Sequence, residues 1–104
     1  MTGGMHTPWG IARSREELDE GVYLVKTADH GGLLITVERA QELLSEKARG
    51  IGKPWHDFLA FEQDHDMMVV LYEHPELYPW VEEELTEKFA EEGLRRDHPD
   101  YFTV

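Results

Sequence analysis

Between Gly21 and Thr36 the chain writes out two apolar strands and the turn that joins them, and no other stretch restricts the fold as much. Val22-Tyr23-Leu24-Val25-Lys26-Thr27 is rich in β-branched and aromatic residues, which suit a pleated, half-buried backbone. Ala28-Asp29-His30-Gly31-Gly32 is turn chemistry, and Leu33-Leu34-Ile35 resumes the apolar run. The pattern predicts an antiparallel hairpin, 22–27 with 33–36. Two strands alone are marginal in water, so helices must cover one face. Gly10-Ile11-Ala12-Arg13 is a candidate third strand (10–13).

Three helices are expected to supply that cover. Thr36 is a suitable N-cap for a helix over 37–48, with Val37, Ala40, Leu43 and Leu44 at helical spacing. Arg49-Gly50-Ile51-Gly52-Lys53-Pro54 stops it with a basic last turn, glycine and proline. Trp55, Phe58, Leu59 and Phe61 suggest one apolar face, and Met67 to Tyr72 is apolar throughout. Periodicity does not separate a buried helix from a buried strand there. Glu62, Asp64 and Asp66 just ahead favour a helix N-terminus, so a helix is expected over about 62–74. Pro79 precedes the clearest helix, 80–94, with Val81, Leu85, Phe89 and Leu94 as its apolar stripe. Ser14-Arg15-Glu16-Glu17 has capping-box spacing and predicts a single helical turn. The expected class is α+β: a small antiparallel sheet packed with about three helices.

At 104 residues and 12.1 kDa the chain has the size of one domain. Size scaling gives it about 6,000 Å² of folded surface. Met1 to His6 lacks a periodic pattern and is expected to fray, leaving 7–104 as a single acidic domain. With no cysteine, a disulfide scaffold, a thiolate zinc site and a cysteine nucleophile are excluded. The start lacks the layout of a signal peptide, and the longest apolar run is too short to span a bilayer. A cytoplasmic location is the expectation.

Charge is the functional clue. Acids number 22 against 10 bases, a net charge of −12. That excludes binding nucleic acid or an anionic membrane through a general basic face. From Pro54 to Glu87 no Lys or Arg occurs, while Asp57, Glu62, Asp64, Asp66, Glu73, Glu76, Glu82, Glu83, Glu84 and Glu87 all do. Glu83, Glu84, Glu87 and Glu91 share one arc of the last helix at about 100° per residue. Glu38, Glu42 and Glu46 form a second row. Like charges at this spacing cost roughly a few tenths of a kcal/mol per pair. Glu84–Lys88, Glu91–Arg95 and Glu92–Arg96 are the available offsetting pairs. The ordinary reading is a solvated face that keeps the protein soluble. The sharper reading is a surface for a basic partner, with Glu62, Asp64, Asp66 and Glu82 assisting the helix row.

Catalytic patterns are sparse. His30 in its glycine-rich turn has the chemistry of a base or ligand, against a plain turn in which it bonds backbone. His56-Asp57 and Asp64-His65-Asp66 gather imidazole and carboxylate, the donor set of Zn²⁺ or Mn²⁺. No two histidines are spaced for a helical metal pair, which favours histidines paired to nearby acids. Gly50-Ile51-Gly52-Lys53-Pro54 is not a phosphate loop, because Pro54 replaces the hydroxyl that meets Mg²⁺. Ser14 and Ser45 lie outside any nucleophile-elbow motif. No catalytic residue and no cofactor are expected. A small His- or metal-dependent enzyme using His30 or the His56/His65 region is the alternative. Trp9, Trp55 and Trp80 each stand close to a proline, as core anchors or as an aromatic patch for a partner.

Thr7-Pro8-Trp9-Gly10, Thr27-Ala28-Asp29-His30-Gly31-Gly32, Glu38-Arg39, the acidic run ending at Asp66, and Pro75-Glu76-Leu77 together resemble a domain family without an assigned activity. That family occurs in proteins of bacterial plasmids, phages and related mobile elements. The similarity covers roughly residues 7 to 78. Val37 stands where proline is common, His65 where cysteine is, and His74 where an aromatic is. The resemblance implies a context rather than a chemistry, since mobile-element proteins often inhibit host nucleic-acid machinery. The resulting expectation is a non-enzymatic acidic inhibitor or modulator of a basic, nucleic-acid-binding host protein, perceived by that protein as a nucleic-acid-like negative surface.

Overall fold

A computed structural model describes residues 5–78 and 80–103. Most of the expected frayed start, 1–4, lies outside the described residues. His6 is paired, in β1 (His6–Thr7), with β2 (Gly10–Ile11). Thr7 holds this small hairpin, its hydroxyl donating to the Gly10 carbonyl at 2.6 Å and accepting from the Trp9 N–H at 3.1 Å.

The main sheet has five strands: β3 (Ser14–Asp19), β4 (Val22–Lys26), β5 (Gly31–Thr36), β6 (Lys53–Trp55) and β7 (Phe58–Glu62). Their spatial order is β3-β4-β5-β7-β6, all antiparallel. The expected hairpin is its centre, with Leu24 opposite Leu33 and Val22 opposite Ile35. Among the described residues four α-helices accompany it: α1 (Val37–Leu43), α2 (Glu46–Ile51), α3 (Met67–Glu73) and α4 (Glu83–Asp97). The class is α+β as expected, and the accessible surface is 6368 Å².

Several local expectations are corrected. The 10–13 segment does not join the main sheet as a third strand, because Gly10–Ile11 pairs with β1 instead. Ser14–Asp19, expected as a helical turn, is a strand, since the exposed edge of β4 offers a full ladder of partners. Its charged side chains are of the kind that blunt an exposed sheet edge. The 37–48 helix is two helices. Leu44 is extended, and Ser45 caps α2 by accepting from the Ala48 N–H. The Glu73 carboxylate fixes the break, taking the Ser45 N–H at 2.9 Å and the Ser45 hydroxyl. The helix expected over 62–74 begins only at Met67. Phe58–Glu62 is strand β7, bonded on both sides, to β5 and β6. The last helix runs 83–97, shifted from 80–94, with Glu82 at its N-cap.

The sheet is apolar on both faces. Val22, Leu24, Leu33, Ile35, Leu59 and Phe61 point to the helices. Tyr23, Val25, Leu34, Phe58 and Ala60 alternate to the other face, where Met5, Trp9, Ala12 and Trp55 cover them. Here the Trp9 and Gly31-Gly32 pieces of the sequence meet. A Cβ on Gly32 would stand 2.6 Å from Trp9 Cη2 and closer still to the Phe61 carbonyl. Glycine is required there by the indole crossing its strand.

Candidate functional site

The helix α4 carries the functional question. Its packed face is made of Thr86, Ala90, Gly93 and Leu94, laid against α3. The approach is close: a Cβ on Gly93 would be 2.9 Å from Met68 Cγ. Small residues therefore win the interior position, and the larger apolar ones are displaced to a flank. Of the expected stripe only Leu94 is buried; Leu85 is 57% exposed, Phe89 61% and Val81 is exposed as well. Trp80 is 53% exposed, edge-on to Tyr78 at 5.1 Å. It is not a core anchor, whereas Trp9 and Trp55 are half-buried under the sheet.

Between that flank and α3 runs a groove of about 400 Å³, floored by Met67, Met68 and Leu71 and walled by Tyr78, Leu85 and Phe89. Thr86 lines it too, and its hydroxyl, on a residue only 3% exposed, has no hydrogen-bond partner among the described residues. A second hollow of about 350 Å³ continues past Phe89 to Glu92, Gly93 and Arg96.

The acids take different places. Glu82, Glu83, Glu84 and Glu87 are exposed, and none of the four is in an ion pair among the described residues. Asp64 is exposed at the rim of the groove, its backbone at φ 72° in a tight turn. Glu91 is half-buried and bound to Arg95 at 2.9 Å. Glu62 is half-buried at the end of β7. Asp66 faces inward. It is 5% exposed and holds Lys53 at 3.3 Å and His98 at 3.0 Å, so it is a structural anchor between β6, α3 and the C-terminus rather than part of an outward surface. Arg96, expected opposite Glu92, instead meets Asp97 at 3.1 Å. Through that contact first, and through His65 as well, the Asp97 carboxyl is held below its ordinary range.

The histidines occupy separate positions. His30 is in the hairpin turn, where its N–H donates to Thr27 Oγ1 at 3.1 Å and its carbonyl accepts the Thr27 N–H at 2.9 Å. His56 has φ 53° in the two-residue turn between β6 and β7, its ring edge-on to Trp55. His65 pairs with Asp97 at 3.3 Å. Among the described residues no three His, Asp or Glu side chains are placed to hold a metal. His98, on Asp66, is the imidazole that sequence reasoning overlooked; thirty-two positions separate the pair, and no local spacing signals it. A second junction, half-buried at most, joins Glu73 to the exposed Ser45 and to the Tyr101 hydroxyl at 2.6 Å. Burial first, then the Glu73 charge, push the Tyr101 phenol above its ordinary range.

Fold and surface together define an acidic α+β domain with a sheet covered at its centre and, among the described residues, an open groove beside α4. The chain belongs to the DUF7007 family, a domain of unknown function, whose family model matches residues 2–104. No curated protein and no solved structure matches it. None of the described helices is long and apolar enough to cross a membrane.

Proposed function

We propose that this domain is a non-enzymatic acidic binding protein of a mobile element that inhibits or modulates a basic, nucleic-acid-binding protein of the host, a defence complex being one such target. The observation that supports this reading is the first half of α4, where Glu82, Glu83, Glu84 and Glu87 stand exposed without cationic partners among the described residues, on a chain of charge −12. A small domain needs a charge of only about 2–8 for solubility, so the excess calls for another role. Carboxylates four residues apart repeat about every 6 Å along a helix, against about 3.4 Å for phosphates along one DNA strand. One row is too sparse to copy a strand; Asp64, Glu38 and Glu46 add to the negative field, while the break at Leu44 interrupts the expected Glu38–Glu42–Glu46 row and Arg39 pairs with Glu42 at 3.2 Å. A cationic groove would meet that field early, giving fast association that weakens with salt.

The acids that carry the reading are Glu82, Glu83, Glu84, Glu87 and Asp64, with Glu91 and Glu62 contributing field rather than contact. The test is affinity capture from host lysate at low salt with a salt-step elution. It compares the wild type with E83K/E84K/E87K, both checked for fold by circular dichroism. A basic nucleic-acid-binding protein retained by the wild type and lost by the folded variant is the expected result, as is displacement of nucleic acid from that protein. Equal retention by both would end this reading.

A further inference from the structure

Resting on that acidic-binding reading, we propose that the groove between α3 and α4 is the seat of a cationic amphipathic helix contributed by the partner protein. Three observations converge on it. Leu85, Phe89 and Gly93 follow one another at four-residue intervals beside the groove, with Val81 one interval ahead, so the hollow tracks the length of α4. A helix of 15 residues is about 22 Å long. That length accepts the i, i+3, i+4, i+7 anchors with which a helix occupies an apolar groove. Met67 and Met68 on the floor are unbranched and adapt to the shape of what enters.

The second observation is the Thr86 hydroxyl, buried in the groove wall with no partner among the described residues. An unsatisfied buried hydroxyl costs about 1–3 kcal/mol, a cost that a polar atom on an incoming chain would relieve.

Charge chooses the occupant. Asp64 and Glu92 line the two hollows, Glu82 stands at the N-cap of α4, and among the described residues the cation in the lining is Arg96, which already holds Asp97. A second copy of this chain would bring −12 against −12. An anionic amphiphile would meet the same carboxylates. A helix with leucine-like anchors on one face and lysines or arginines on its flanks satisfies both the apolar floor and the acidic rim.

The experiment titrates the whole protein by calorimetry with three synthetic 18-residue probes. One has leucines on a single helical stripe and lysines elsewhere. The second has the same composition with leucines scattered round the helix. The third replaces the lysines of the stripe peptide with glutamines. The stripe peptide should bind about tenfold or more tightly than the scattered one. In L85Q/F89Q, altered only at exposed positions, that preference should fall to about unity while the melting temperature is unchanged. Equal binding of striped and scattered peptides overturns the proposal. So does equal binding of the lysine and glutamine stripes, or a concentration-dependent dimer of the protein that L85Q/F89Q abolishes. The E83K/E84K/E87K variant separates the two readings. If it leaves all lysine peptides bound as before while L85Q/F89Q removes the stripe preference, the acidic-row reading fails and the groove stands.

Discussion

The sheet and the α3–α4 side are built from similar apolar residues, yet one is closed and the other is open. On the central strands of the sheet, both faces are covered: helices pack over one, and the N-terminal hairpin half-covers the other by laying Trp9 across Gly32. On the helical side, Leu85 and Phe89 are left in solvent beside a groove. Each such side chain, 57–61% exposed, forgoes somewhat over half of the roughly 1.5–3 kcal/mol that full burial gives. Scattered surface leucines are ordinary, whereas Trp80, Val81, Leu85 and Phe89 are neighbours along one stretch of chain. The closed region is explained by stability alone, and the open region is where an account of function has to be sought.

The same contrast exists within α4. At about 100° per residue, Glu87 and Phe89 lie about 160° apart round the helix, so the acidic row and the apolar flank face opposite ways. Glu84 and Glu91 share the acidic side. The two features are therefore separable by mutation.

The largest effect should come from breaking the seal. Gly32→Ala forces a methyl group against Trp9 and the Phe61 carbonyl, and should cost about 3 kcal/mol in urea unfolding. A loss under about 1 kcal/mol would mean that the Trp9 cover is loose. Next, Thr86→Val keeps the shape of the side chain and removes the orphaned hydroxyl. It should raise stability by about 1 kcal/mol, read as a higher midpoint of urea unfolding. Smaller still, L85Q/F89Q should change unfolding free energy by less than about 0.5 kcal/mol, because the open side contributes little to folding. A large destabilisation there would show that the flank is closed in solution.

The smallest effect is a pH dependence where the end of α3 meets α1. His74 Nε2 lies 2.7 Å from the Leu43 carbonyl and Nδ1 lies 2.8 Å from Glu76. Burial lowers its pKa, but two acceptors on one ring outweigh that, and the value is raised above 6.5. Its contribution is complete below pH 6.5 and is lost as pH rises through the raised folded-state value. Melting temperature should therefore fall slightly from pH 6 to pH 8, and His74→Gln should flatten that slope. An unchanged slope would remove His74 from the account.

Much of the fold was legible locally. Strands β4 and β5 and the Thr36 cap follow from residue type and spacing, while at Met67–Tyr72 only the acids ahead of the apolar run favour the helix, and they misplace its start. Strand β7 was not, because Phe58-Leu59-Ala60-Phe61 is apolar at every position and belongs to a sheet buried on both faces, where alternation vanishes from the sequence. Strand β3 was hidden for the opposite reason: an exposed edge carries charged residues with no apolar signal, and Ser14 to Glu17 mimics a capping box. At the candidate site, the exposed carboxylates of α4 were readable, and the groove was not. The sequence shows Val81, Leu85, Phe89 and Leu94 at helical spacing without saying which arc packs.

The sequence by itself determined the charge, the central hairpin and the helical nature of 83–97, since these depend on residue type and short-range geometry. Tertiary structure decided that Asp66 turns inward to His98 and Lys53, and that Ala90 and Gly93 take the interior position ahead of Leu85 and Phe89. The reason is steric. Two helices come closest where their side chains are smallest, and the identity of that line depends on the facing surface of α3, which no local pattern in α4 records.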